Sequence, residues 1–176
     1  MKKFAKLFLV VVMAGVCVPA FAQKFAHINS QDLIMLMPES DTAREKLEAF
    51  AKVLQEDLES MQTEFQNKLA EYERRSATWT ASILEARQKE LQELSRRIED
   101  YRQSAGEELQ REQQTVMMPV FDKARTTIAT VAKREGFIYV FDTSAGPLAY
   151  YDEKQSTDLL PLVKKEMNIT RELPSR

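Results

Sequence analysis

Residue types able to do covalent or metal chemistry are scarce, and none sits in a reactive pattern. His27 is the single histidine and Cys17 the single cysteine of 176 residues. A nucleophile needs a base within hydrogen-bond reach, and a metal needs several converging ligands. No cysteine or second histidine lies near His27 at a ligand spacing. It therefore reads as a strand histidine satisfied inside a folded body, against a metal ligand or pH switch. Carboxylates abound, with 27 Asp and Glu. Around Arg74-Arg75, Arg96-Arg97 and Glu107-Glu108, however, they mix with bases at helical spacing, as on a solvated face. The glycines are isolated, so no loop can cradle phosphate. We read no catalytic site, no metal site, no cofactor and no enzyme.

The elements that carry these residues begin with an export signal. Met1-Lys2-Lys3 and Lys6 form a positive start, Leu7 to Val18 an apolar core, and Ala20-Phe21-Ala22 a cleavage site. Residues 1–22 are expected to be removed. Acylation on Cys17 is the lesser alternative, because Val16 is large for that signal. Cleavage removes three lysines and no acid, which takes the net charge from −2 to −5, and removes the only cysteine. An exported chain without disulfides, with no later apolar run long enough to span a bilayer, is expected in the periplasm. Its acidic balance excludes nucleic acid as a partner, since no basic face offers phosphate neutralisation.

Glu39 to Met118 contains no proline and one glycine, Gly106. Such a run exceeds an ordinary globular helix. Its apolar positions Leu47, Ala51, Leu54, Leu58, Met61 and Phe65 average 3.5 residues apart, a coiled-coil seam. Leu69 and Tyr72 add a stutter. Thr42-Ala43-Arg44-Glu45 and Ser82-Ile83-Leu84-Glu85 both fit capping boxes. A helix start in mid-run predicts a hairpin with its tip near residues 76–82; one uninterrupted helix is the alternative. The return helix carries Leu91, Leu94, Ile98, Tyr101 and Ala105, loses its seam over Gln110 to Thr115, and resumes at Val116. Pro119 should kink it, and Gly136 should end it. At about 1.5 Å per residue the outgoing arm is roughly 57 Å long. Between Ser40 and Met118 there are 12 basic and 17 acidic residues, so the acidity lies on the arm.

Three short strands flank the hairpin: residues 25–29, 137–141 and 148–151. Ser30 is expected to cap a helix that Pro38 stops. Ser156, Thr157 or Asp158 caps a last helix through Met167, and the tail after Asn168 is expected to be disordered. Phe137-Ile138-Tyr139-Val140-Phe141 has no alternation, which predicts burial on both faces. A three-stranded sheet is too small a core to stand alone. Several chains are therefore expected to pool their sheets, through Phe25, Ile28, Phe137, Tyr139 and Phe141.

In this order the elements resemble the Skp/OmpH family of periplasmic chaperones. The resemblance rests on the export signal, Lys24-Phe25-Ala26-His27-Ile28-Asn29-Ser30-Gln31, the hairpin, Pro119-Val120-Phe121-Asp122-Lys123 and Gly136-Phe137-Ile138-Tyr139-Val140-Phe141-Asp142. It covers residues 24–168. It implies a mostly α fold with a small β body (residues 23–38 and 119–168) and a long antiparallel coiled-coil arm (residues 39–118). It also implies a jellyfish-like homotrimer that encloses unfolded outer-membrane β-barrel proteins without ATP. The best-known members are strongly basic, whereas this chain is acidic, which argues against contact with an anionic membrane surface or lipopolysaccharide. Phe50, Met61, Phe65, Tyr72 and Trp79 are the candidate client-binding residues. Trp79 reads equally well as a client anchor or as a plug of the hairpin end, and most of the stripe reads as seam. A structural or adaptor coiled coil of the envelope is the alternative function.

Overall fold

The computed structural model describes residues 24–146 and 148–173. The expected export signal lies outside the described residues. Strand β1 (Lys24–Ile28) leads through Asn29 into helix α1 (Ser30–Leu36). Asn29, rather than Ser30, caps that helix: its side-chain oxygen accepts from the Asp32 amide at 3.1 Å. Helix α2 (Pro38–Arg75) follows after a single residue. The long helix therefore starts four residues before Thr42. Met37 is extended, as a residue preceding proline must be, and Pro38 enters the first helical turn where its missing amide costs nothing. Glu39 and Asp41 then favour the positive helix end.

A 3₁₀ turn at Ser76–Thr78 reverses the chain, and helix α3 (Ala81–Glu135) returns. Thr80 precedes its first turn, so Ser82 lies inside the helix instead of capping it. Helix α3 continues without interruption through Pro119. It stops at Gly136, whose φ of 75° is one that a side chain would strain. Strand β2 (Phe137–Asp142), strand β3 (Ser156–Asp158) and helix α4 (Leu160–Glu166) complete the chain.

The sheet has the order β2-β1-β3, with both neighbours parallel to β1. The third strand is thus Ser156–Asp158, not residues 148–151, which cross between β2 and β3 without pairing. Parallel pairing demands such a crossover, because both strands must start from the same end of the sheet.

In register, Phe25 faces Tyr139 and His27 faces Phe141, while Ala26 faces Val140. Alternation therefore sends Ala26, Ile28 and Val140 to one face. There they meet Leu33, Met37, Ala43, Val120, Ala124, Val131, Leu159 and Val163 in the only large core among the described residues. Among the described residues no helix covers the other face, and Tyr151 of the crossing segment lies on it, against His27. Ile138, Tyr139 and Phe141 are 53, 60 and 39% exposed. Within one chain, the described helices cover one side of β2. The expected burial of its other side was tied to several chains pooling their sheets, and in the single chain that side is open. Of the tail after Asn168, expected to be disordered, residues 169–173 are described and make defined contacts, and the last three lie outside the described residues. Asn168 takes a left-handed φ of 55°, Ile169 donates to the Lys164 carbonyl at 2.9 Å, and Arg171 pairs with Asp41 at 2.6 Å.

Candidate functional site

Two surfaces are open enough to act: the hairpin arm and the bare face of the sheet. Along the arm, the heptad positions of α2 and α3 face each other, and all but one are only half-buried. Leu94, 1% exposed, is the exception. Two helices alone form one contact line, so each seam residue keeps an open flank.

Polar clamps hold the pair together where apolar burial is thin. The Tyr101 hydroxyl lies 3.3 Å from both the Leu54 carbonyl and an Asp57 carboxylate oxygen. Lys68 pairs with Glu90 across the hairpin, and Arg87 reaches the same carboxylate at 2.7 Å. Those two cations, Lys68 above all, hold the Glu90 carboxyl below its usual range. At the base Lys123 does the same to Glu39.

Between the clamps the helix pair carries open grooves. A groove of about 850 Å³ runs beside Gln62, Phe65, Gln66, Gln92, Arg96 and Ile98. Another, of about 500 Å³, lies beside Leu47, Gln110, Gln114, Met117 and Phe121, where the seam turns polar.

The candidate arm residues do not converge on one spot. Phe50, Met61 and Phe65 are half-buried along α2, and Phe65 lines the larger groove. Tyr72 and Trp79 meet at the tip, edge to face with ring centres 5.9 Å apart. Gln88 donates to the Tyr72 hydroxyl at 2.8 Å, and the guanidinium groups of Arg75 and Arg87 lie 5.6 and 6.0 Å from the indole centre. Trp79 therefore packs into the end of the hairpin, half-buried. Val53, Ile83 and Met118, which are not among the candidate client-binding residues, are large, apolar and exposed. Their signal was a position off the heptad stripe, where an apolar residue has no partner helix.

On the bare sheet face the rings of Phe25, Tyr139 and Phe141 form a triangle with centres 6.2 to 6.4 Å apart. His27 continues the row. Its ring lies 4.5 Å from that of Tyr151, and its Nδ1 is 2.9 Å from the Ser156 hydroxyl. The crossing segment leaves a hollow of about 340 Å³ against Phe25 and Phe141, and Tyr150 stands 80% exposed at its rim. Ile28, expected on this surface, points the other way and is 2% exposed. Phe137 also packs against the chain's own core. A bulge after the first pair of the ladder explains this: one extra residue, Ile138, shifts the alternation of β2. Among the described residues no group of histidines, cysteines and carboxylates is placed to hold a metal, and no helix is long and apolar enough to cross a membrane.

The family model described as outer membrane protein (OmpH-like) matches residues 24–167. The chain belongs to the OmpH-like family. Two relatives of this OmpH-like chain carry the name chaperone protein Skp. The protein from Pectobacterium atrosepticum is 23% identical over 143 residues, covering 81% of this chain and 87% of the relative. The protein from Yersinia enterocolitica is 24% identical over 145 residues, with the same coverage. A crystal structure described as a putative outer membrane chaperone (OmpH-like) from Caulobacter crescentus superposes with a TM-score of 0.70. It shares 14% identity and covers 88% of this chain and 89% of the other. That likeness establishes a common fold for the OmpH-like chain, with its hairpin and small sheet.

Proposed function

We propose that the chain is an ATP-independent holdase chaperone of the periplasm. In this reading it assembles as a homotrimer and encloses unfolded outer-membrane β-barrel proteins. The observation that carries the reading is a long arm with almost no core of its own. Only Leu94 is fully buried among its seam positions. A scaffold would gain from a filled, continuous seam, whereas a holder needs surfaces that bend and offer many weak contacts. Unfolded β-barrel chains expose alternating apolar residues and unpaired backbone, which aggregate in water. Phe50, Met61, Phe65, Tyr72 and Trp79 would supply adaptable contact from the arm, methionine being especially compliant.

The bare aromatic face supports the assembly half of the reading. Phe25, Tyr139 and Phe141 are apolar and contiguous, at the base from which the arm projects. Packing three such faces around an axis would hide them and set the arms side by side. The family and its Skp relatives favour the same role.

The test dilutes a urea-unfolded outer-membrane β-barrel protein into the purified chain. Light scattering should fall to baseline near one trimer per client. Unsuppressed scattering at that ratio ends the chaperone reading.

A further inference from the structure

The lone histidine lies on the face that self-assembly would bury. His27 sits in register between Phe141 on β2 and Asp158 on β3, on the same side as the aromatic triangle. Tyr151 covers one side of its ring, and Ser156 holds Nδ1. Phe25, Tyr139 and Phe141 continue the row on the β2 side, and Ser156 and Asp158 on the β3 side.

We propose that His27 makes self-assembly of this chain sensitive to acid: protonation of its ring drives the protomers apart. The proposal rests on the reading of the aromatic face as the assembly surface.

The reason is where a cation can be solvated. Imidazole gains its charge between pH 5 and 8. In a separated chain the outer side of the ring meets water. In an assembly the same side meets other protomers' rings, and burial penalises the charged form. Protons then bind the separated chain better, so lowering pH favours separation.

Few charges nearby can offset this. Asp158, the register partner on β3, is the one carboxylate beside the ring, tied to the Leu160 amide at 2.9 Å. It attracts a cationic ring in the separated chain and in the assembly alike, so it does not reverse which of the two binds protons better. On the crossing segment, Asp152 accepts from the Lys154 amide and the Gln155 side chain, both at 2.9 Å. Lys24, on β1 itself, reaches toward the Glu135 carbonyl. Asp142, at the end of β2, pairs in register with Ile28 on the core face. The helices pack on the opposite face of the sheet.

Sedimentation equilibrium at pH 7.5 and 5.5, on the wild type and His27→Gln, tests this. The wild-type dissociation constant should rise about tenfold or more at pH 5.5, which corresponds to one unit of displaced titration. His27→Gln should assemble alike at both values. Equal weakening of both proteins would place the effect on carboxylates and overturn the proposal, as would a wild type unchanged by pH. A monomer at pH 7.5 would instead end the assembly reading, and this inference with it.

Discussion

Asp142 ends β2 and ties it to the start of α1. Its two carboxylate oxygens take hydrogen bonds from the Ser30 amide at 3.2 Å, the Ser30 hydroxyl at 2.5 Å, and the Ser144 amide and hydroxyl at 2.9 and 2.7 Å. Burial pushes the carboxyl up, but these four donors together outweigh it and hold the group below its ordinary range. A carboxylate held low stabilises the fold above the unfolded value of about 3.9, and that contribution disappears as pH falls through the lower folded value. Asp142→Asn should therefore cost about 1–2 kcal/mol at pH 7, and the gap to wild type should narrow below about pH 4. Urea unfolding at pH 7 and pH 3 measures both. An undiminished gap at pH 3 would show that shape, not charge, is lost. No local pattern predicted this tie between Asp142 and Ser30, because the two lie more than a hundred residues apart.

Helices α2 and α3 show how local rules build the arm and where they stop. The heptad spacing breaks at residues 76–81, where the 3₁₀ turn Ser76–Thr78 lies, although neither Thr42 nor Ser82 caps a helix. The start of α2 was misread because two helix-start signals compete within five residues. Pro38 prevails over Thr42, as the extended Met37 leaves the chain already aimed into a helical turn. Leu94 anchors the arm. Leu94→Ala should cost about 3 kcal/mol where no neighbouring layer can collapse into the gap. Hydrogen exchange should then speed up in the arm around residues 54–101 while β1 and β2 stay protected. Uniform loss of protection would mean that arm and body unfold as one unit.

At the scale of the molecule, arm and body are separable in function if the proposed reading holds. Replacing residues 60–97 with a short glycine-containing turn cuts the arm just beyond the meeting of Tyr101 with Leu54 and Asp57. That variant should keep its oligomeric state by sedimentation while losing suppression of client aggregation. Retained suppression would place client binding on the body. Tyr139→Asp puts a charge in the middle of the exposed aromatic triangle, where the single chain tolerates it. It should fold with unchanged circular dichroism yet run as a monomer. An unchanged oligomer would move the assembly surface elsewhere.

The sequence by itself determined the hairpin, the acidic charge of its arm, and a small body of short strands. Each follows from composition or from periodicity within a few turns. The tertiary structure alone decided which segment pairs beside β1, and which face of β2 stays bare. Ser156–Asp158 prevailed over residues 148–151 because a parallel neighbour must return to the starting edge. Val140 and Ile28 went inside while Tyr139 and Phe141 stayed outside, because the helices of one chain cover one face of the sheet and leave the other open.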